Sequence, residues 1–154
     1  MSDGAISMMA VDRKKWDRRF LALAAHCAGW SKDPSTKVGA VIVDNQRRVV
    51  GLGYNGFPRY VDDTEARYDE RSVKYKLIVH SEANAILNAN IPVAGCTIYS
   101  TKFPCSDCTK LIIQSGIGVV VSPKPLPDEV WTADSEFSKQ MLAEACIHVI
   151  EVDE

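Results

Sequence analysis

Two cysteines three positions apart, Cys105 and Cys108 in the segment PCSDC, have the spacing of metal ligands. Both fall on the predicted first turn of a helix, so their thiols face the same side. The backbone amides and the dipole at a helix start also favour thiolate over thiol, which suits zinc. A C-x-x-C pair by itself fits a redox site or half of a structural zinc finger equally well. The sequence contains no second C-x-x-C pair that would complete a finger.

A histidine and a glutamate two positions apart, His80 and Glu82 in HSEANAI, provide further chemistry. A lone histidine beside an apolar strand end is more often a packing or capping residue. Here it precedes P-C-x-x-C in the same chain, and H-x-E followed by P-C-x-x-C is the known pattern of zinc-dependent nucleobase deaminases. On this match the zinc ligands are His80, Cys105 and Cys108, and Glu82 transfers protons.

These residue types suit a hydrolytic reaction. Three protein ligands leave the fourth tetrahedral position for water, and zinc brings the pKa of such a water close to neutrality. Glu82 is then better interpreted as a base than as a fourth ligand, because it can take the proton of the water and deliver it to the ring nitrogen and the departing amine. A structural or redox module without catalysis, the alternative, would leave Glu82 unexplained.

The predicted elements place these residues at strand ends and helix starts. Apolar residues at helical spacing predict a first helix over residues 12–30, after a loose arm over residues 1–10. Residues 55–79 are polar, which is typical of a solvated loop or short helix, with a lid over the site as the alternative. The other predicted elements are an antiparallel hairpin (38–44 and 49–54), a helix from Ser81 with Ser81 as its N-cap, a strand (97–101), a helix ended by Gly116, a strand (117–122), a helix (134–145) and a strand (146–152). This order predicts an α/β fold, with a mixed five-stranded sheet and helices on both faces.

Length and composition favour one domain over residues 1–154 that acts on a small molecule. The chain has 46% apolar and 25% charged residues, as in average globular proteins. Its net charge of −2, from 18 basic and 20 acidic residues, gives no positive field for a stable nucleic-acid partner. No apolar run reaches the roughly 20 residues of a membrane span and no export pattern is visible, so a cytoplasmic location is expected. The odd number of cysteines does not indicate a disulfide framework.

Four blocks over roughly residues 16–150 resemble the cytidine and deoxycytidylate deaminase superfamily: SKDPSTKVGA, GYNGFP, HSEANAI and FPCSDCTKLIIQSGI. The zinc residues are common to the superfamily, whereas SKDP and GYNGFP look like its deoxycytidylate branch. The resemblance implies a three-layer α-β-α cytidine-deaminase-like fold and zinc-dependent deamination of dCMP to dUMP, the precursor of thymidylate. The alternatives are a deaminase that also accepts dCTP and a tRNA or other nucleic-acid deaminase, against which the net charge argues.

The resemblance also implies contacts around the zinc site. Asn55 matches a superfamily asparagine that hydrogen-bonds the substrate, although an asparagine in N-G is otherwise an ordinary turn residue. Ser81 is a further candidate for a substrate contact. Lys32, Tyr54, Asn55 and Gly56 are candidates for an effector site at which dCTP activates and dTTP inhibits, with Mg²⁺ accompanying the triphosphate. The expected assembly is a homohexamer.

Two departures from the superfamily pattern affect these expectations. Ser81 stands where the family usually has alanine, a change that should leave the ligands in place. Residues 56–79 contain no cysteine or histidine for the second, structural zinc of some relatives, so one zinc per chain is predicted. Four basic residues are candidates for a phosphate contact, but each is better interpreted as a solvated surface charge: Lys32, Lys37, Arg59 and Lys102.

Overall fold

A mixed five-stranded sheet forms the centre of the protein in the computed structural model, which describes the backbone of residues 3–127 and 129–153 and the side chains of residues 12–127 and 132–153. The strands are β1 (Gly39–Val43), β2 (Val49–Tyr54), β3 (Thr97–Ser100), β4 (Val119–Pro123) and β5 (His148–Val152), in the spatial order β2-β1-β3-β4-β5. Strand β1 pairs antiparallel with β2 and β3, whereas β3, β4 and β5 run parallel. The predicted hairpin and mixed sheet are therefore confirmed.

Helices cover both faces of this sheet. They are α1 (Asp3–Ala28), α2 (Glu65–Asp69), α3 (Arg71–Leu77), α4 (Ser81–Leu87), α5 (Ser106–Gln114) and α6 (Glu129–Glu144). Side chains alternate along β1, so Val41 packs with Phe20 of α1 on one face while Ile42 packs with the core under α4, α5 and α6 on the other. The predicted three-layer α-β-α architecture is confirmed.

Helix α1 is longer than the sequence pattern predicts. It begins at Asp3, so the predicted loose arm is wrong for residues 3–10; residues 1 and 2 lie outside the described part of the chain. The segment DGAISMMA lacks the amphipathic period that predicts the rest of α1, but alanine and methionine are strong helix formers. Helix α6 likewise begins at Glu129, ahead of the predicted start at Asp134. None of the described helices combines the length and the apolar character needed to cross a membrane.

The polar segment 55–79 folds into two short helices, α2 and α3, and is tied to the sheet at both ends. Thr64 caps α2 by accepting a hydrogen bond from the Arg67 amide at 3.4 Å. Gly56, two residues after the end of β2, exchanges two backbone hydrogen bonds with Val79, of 3.1 and 2.8 Å. Because Val79 precedes His80, this bridge fixes the histidine beside the end of β2.

Candidate metal centre and active site

Helix α4 lies directly on strand β2 and carries Glu82. Gly53 of β2 permits this contact, since a Cβ at that position would lie 2.5 Å from the Ala85 nitrogen and 2.6 Å from the Ser81 oxygen. The Asn84 amide donates to the His80 carbonyl at 3.0 Å, which makes His80 the N-cap. The predicted capping role of Ser81 is therefore wrong: the extended backbone ends at His80, and Ser81 is already the first helical residue.

The three predicted zinc ligands come together where α4 and α5 begin. The ligand atoms of His80, Cys105 and Cys108 lie within 4.8 Å of one another. The His80 Nδ1 atom is 3.4 Å from the Cys105 sulfur and 3.3 Å from the Cys108 sulfur. Tetrahedral zinc with bonds of about 2.0 Å to nitrogen and about 2.3 Å to sulfur separates such atoms by about 3.6 Å. The donor types and their spacing therefore fit zinc.

The electrostatics of the centre favour the thiolate at Cys105 and the thiol at Cys108. A hydrogen bond from the Cys108 side chain, opposed by burial and reinforced by His80, lowers the pKa of Cys105 to about 4. The Cys105 thiolate and burial raise the pKa of Cys108. The hydrogen bond to Cys105 raises the pKa of His80. The two thiols therefore do not both favour ionisation by themselves, and a bound divalent cation would supply the charge that lets both ionise.

The carboxylate of Glu82 faces the same centre and is buried, with 4% of the residue exposed. Ser100, the last residue of β3, is fully buried and donates a 2.5 Å hydrogen bond to Glu82 Oε1. A central strand therefore fixes the carboxylate next to the cysteines. Ser100 was not among the predicted site residues; its signal in the sequence is a hydroxyl at the end of the predicted strand TIYST.

A cavity of about 110 Å³ opens onto these residues, and we call it the active-site cavity. Glu82, His80 and Cys105 form part of its wall. Ser81 also lines it, and its fully buried hydroxyl has no hydrogen-bond partner among the described residues. An unsatisfied buried hydroxyl costs free energy, so a ligand that bonded it would be stabilised.

Asn55 lines the active-site cavity and is held by a network of buried polar groups. Its amide nitrogen donates to the Thr36 carbonyl at 2.8 Å and to Asp33 at 3.3 Å, and its amide oxygen accepts from the Val38 amide at 2.9 Å. Asp33 is fully buried and pairs with Lys74 at 2.7 Å. Burial raises the pKa of Asp33, but hydrogen bonds from Lys74 and the following backbone amides outweigh it and lower the pKa. Asp33 and Lys74 were not among the predicted site residues, because they meet only in the folded chain.

A second cavity, of about 610 Å³, adjoins the active-site cavity and shares Lys74, Tyr75 and Lys102 with it. We call it the cationic cavity, because its charged lining residues are Lys37, Arg71, Lys74 and Lys102 against Asp69 alone. Lys102 is half-buried, and burial lowers its pKa. The interpretation of Lys102 as a solvated surface charge is therefore wrong.

The candidate effector residues do not converge on one cavity in the described structure. Asn55 lines the active-site cavity, whereas Lys32, Tyr54 and Gly56 line neither cavity described above. Lys32 forms an exposed ion pair with Asp63 at 2.8 Å, and Gly56 forms the backbone bridge that precedes His80. The effector role of these residues stays a prediction.

Sequence comparisons identify relatives over most of the chain. The family model described as cytidine and deoxycytidylate deaminase zinc-binding region matches residues 14–123. An uncharacterized deaminase in the luxG 3′ region of Aliivibrio fischeri is 43% identical over 137 residues, which cover 88% of this chain and 92% of that protein. The deoxycytidylate deaminase of Homo sapiens is 41% identical over 116 residues, 71% of this chain and 65% of that protein. A probable deoxycytidylate deaminase of Drosophila melanogaster is 46% identical over 117 residues, 69% of this chain and 58% of that protein, so this chain spans less than two thirds of either animal protein.

Solved structures share the fold. The dCMP deaminase from the cyanophage S-TIM5 in apo form superimposes with a TM-score of 0.70 at 20% identity, over 90% of this chain and 98% of that chain. The same enzyme in complex with dCMP and dUMP gives a TM-score of 0.68. The family model covers most of the chain and includes the histidine, the glutamate and both cysteines that form the centre. This chain therefore belongs to the cytidine and deoxycytidylate deaminase family.

Proposed function

We propose that this chain converts dCMP and water into dUMP and ammonia. The observation that carries the proposal is the buried Glu82 carboxylate beside the cluster of His80, Cys105 and Cys108. Glu82 and two of these residues, His80 and Cys105, line one cavity. The name of the human relative, deoxycytidylate deaminase, at 41% identity, supports dCMP as the substrate.

In this proposal the residues around the cavity divide the chemistry. Zinc held by His80, Cys105 and Cys108 would make a water molecule acidic enough to attack at neutral pH. Glu82 takes one proton of the water and delivers it to the ring nitrogen. It then transfers the second proton, from the hydroxyl on the attacked carbon, to the amine, which leaves as ammonia. The Ser100 hydroxyl binds Glu82 Oε1 at 2.5 Å and fixes the carboxylate, so that proton transfer occurs at a defined position.

Two polar residues of the cavity wall are proposed to bind the nucleoside. The Ser81 hydroxyl has no partner among the described residues and is available to a polar edge of the base. The Asn55 side chain is fixed by three hydrogen bonds, and its amide oxygen, which accepts one of them, keeps a second lone pair for a hydroxyl or amino donor. Both contacts rest on groups that folding has already oriented, which lowers the cost of binding.

The catalytic part of the proposal is tested by Glu82→Gln, with Glu136→Gln on the exposed surface of α6 as the matched control. Glu82→Gln should keep bound zinc and the fold but lose at least 100-fold in ammonia release from dCMP, because the amide cannot accept the proton. The control should turn over at the wild-type rate. Unchanged turnover by Glu82→Gln would exclude this carboxylate as the proton carrier.

The cationic cavity supports a phosphorylated substrate rather than a free nucleoside. It opens off the active-site cavity and presents four basic side chains against one carboxylate. Lys74 is already paired with Asp33. Arg71, whose guanidinium lies 5.1 Å from the centre of the Tyr75 ring, forms no ion pair with another described side chain. We assign Arg71 as the principal phosphate contact, since its planar fork binds phosphate oxygens in pairs.

This assignment is tested by Arg71→Gln, with Arg48→Gln in the β1–β2 turn as the matched control. A hydrogen bond to a charged group contributes about 1.5–3 kcal/mol, so Arg71→Gln should raise KM for dCMP about 10- to 100-fold. The KM for deoxycytidine, which has no phosphate, should not change. An equal loss with both substrates would mean that Arg71 supports the fold and not the phosphate.

A second substrate, dCTP, is favoured by the size and charge of the cationic cavity, which at about 610 Å³ holds four basic residues. Assays with deoxycytidine, dCMP and dCTP would separate the two activities. Turnover of dCMP alone would assign the cavity to a single phosphate.

The regulatory and cellular parts of the proposal follow from family resemblance. We propose activation by dCTP with Mg²⁺, inhibition by dTTP, a homohexameric assembly and a cytoplasmic role in supplying dUMP for thymidylate. Initial rates at subsaturating dCMP, with and without each triphosphate, test the regulation, and analytical ultracentrifugation tests the assembly. Rates that neither triphosphate alters would contradict the effector proposal.

A further inference from the structure

Helix α6 holds the backbone on both sides of Cys105 with two side chains one turn apart. The Asp134 carboxylate accepts hydrogen bonds from the Ser106 amide at 2.9 Å and from the Ser106 hydroxyl at 2.6 Å. The Ser138 hydroxyl donates to the Pro104 carbonyl at 3.0 Å. Residues four apart lie on the same face of a helix, so both bonds reach the segment Pro104–Ser106 from one direction. We call Asp134 and Ser138 the α6 clamp.

The clamp lies in a protected part of the molecule. Ser138 and Pro104 are fully buried, so the bond between them is shielded from water. Asp134 is half-buried and is bonded through both carboxylate oxygens. Hydrogen bonds to a charged group are stronger than neutral ones, and burial limits their exchange with water.

The clamp also completes the start of α5. The Cys105 sulfur accepts the Cys108 amide at 3.4 Å, which is the helix's own cap. Asp134 satisfies the Ser106 amide, which has no partner within the helix because it lies in the first turn. The start of α5, which carries both sulfur ligands, is thus held by the Cys105 cap within its own segment and by Asp134 of α6.

We infer that Asp134 and Ser138 are positioning residues that hold Cys105 as a zinc ligand. The inference rests on the zinc site of the proposed function, but neither residue is among the ligands or in the active-site cavity. Partners that orient the ligands of a metal commonly change its affinity by 10- to 100-fold when they are removed. Here the partner acts on the backbone beside the ligand, so its loss should loosen the position of Cys105 while leaving the thiol intact.

The test compares zinc retention in four variants of the full chain. Asp134→Ala removes both acceptors, Asp134→Asn keeps one oxygen acceptor without the charge, and Ser138→Ala removes the buried donor. Ser135→Ala is the matched control, because Ser135 is also buried on α6 but bonds to the Thr132 carbonyl of its own helix. The readouts are zinc per chain, the rate of zinc transfer to a chromogenic chelator, and the thermal midpoint of the zinc-free chain.

Asp134→Ala should release zinc about 10- to 100-fold faster than the wild type. The release rates of Asp134→Asn and Ser138→Ala should lie between those of Asp134→Ala and the wild type. Ser135→Ala should release zinc at the wild-type rate. The inference is overturned if the three clamp variants release zinc at the wild-type rate. It is also overturned if Ser135→Ala, for the same loss of thermal midpoint in the zinc-free chain, releases zinc as fast as the clamp variants do. If Asp134→Ala does not fold, the comparison of Ser138→Ala with Ser135→Ala decides. A wild-type chain that binds no zinc would overturn the proposed metal site itself, and with it this inference.

Discussion

Replacing Gly53 with alanine tests how the sheet positions α4, the helix that carries Glu82. A Cβ at this position would lie 2.5 Å from the Ala85 nitrogen, 2.6 Å from the Ser81 oxygen and 2.8 Å from the Asn84 carbonyl carbon. All three atoms belong to the backbone of α4, so no side-chain rotation relieves the overlap. To reach ordinary contact at 3.4 Å, α4 must move away from β2 by about 0.9 Å.

This displacement should cost both stability and activity. Overpacking of this kind costs about 1–3 kcal/mol, which in a domain of this size lowers the thermal midpoint by roughly 2–12 °C. Glu82 moves with α4, whereas Cys105 and Cys108 stay on α5. A misplacement of about 1 Å at a reacting group can reduce the rate about 100-fold. We therefore expect kcat for dCMP to fall by about that factor in protein that is still folded at the assay temperature.

The assay is the rate of ammonia release from dCMP, measured together with the thermal midpoint and the zinc content. Gly118→Ala is the matched control, because a Cβ there would meet its nearest atom at 3.9 Å, an ordinary contact. The control should keep the wild-type rate and midpoint. A Gly53→Ala variant with wild-type kcat and midpoint would show that α4 tolerates the added methyl group, and would refute the claim that glycine sets this distance.

Three further outcomes are expected. Removal of zinc by a chelator should lower the thermal midpoint, and one equivalent per chain should restore it; a need for two equivalents would contradict the single-site prediction. The Tyr99 hydroxyl donates a hydrogen bond to buried Asp17 at 2.7 Å, and burial together with this bond raises the pKa of Tyr99. The stabilisation by the protonated Tyr99 hydroxyl is therefore complete below the unfolded-state pKa near 10 and is lost as the pH rises above that value. In urea unfolding the stability advantage of the wild type over Tyr99→Phe should therefore be constant up to about pH 9 and shrink above pH 10, and an advantage independent of pH would exclude this titration. Lys74→Met should destabilise the fold by about 3–5 kcal/mol because it leaves the buried Asp33 carboxylate unpaired, whereas Lys110→Met, which breaks an exposed pair, should cost less than about 1 kcal/mol in the same measurement.

The family could be predicted from the sequence because its motifs resemble those of the family, and the cluster of His80, Cys105 and Cys108 could be predicted because part of its geometry is local. Two cysteines three positions apart at a helix start must face the same side, and His80 and Glu82 are adjacent to a second helix start. The hairpin and the parallel strands follow from runs of β-branched residues separated by turns and helices. Each of these features is determined by residues that are close together in the chain, so it can be predicted from the sequence.

Local signals failed where a partner from a distant part of the chain decides the outcome. The Ser81 hydroxyl has the chemistry of an N-cap, but the bridge between Gly56 and Val79 holds the backbone before His80, and the helix starts one residue earlier than a cap at Ser81 requires. Residues 3–10 are a separate case: they lack an amphipathic period, yet they form the first turns of α1, because alanine and methionine favour a helix locally.

Tertiary structure alone assembled the groups that support the predicted site. Ser100 reaches Glu82 because β3 lies at the centre of the sheet, and Asp134 reaches Ser106 because α6 packs against α5. The cationic cavity gathers Arg71 and Lys102 from separate segments that the sequence gives no reason to pair. The short spacings within H-x-E and C-x-x-C decide which side chains can face one metal. The packing of the sheet and helices decides which groups surround that metal, because it brings together residues that are far apart in sequence.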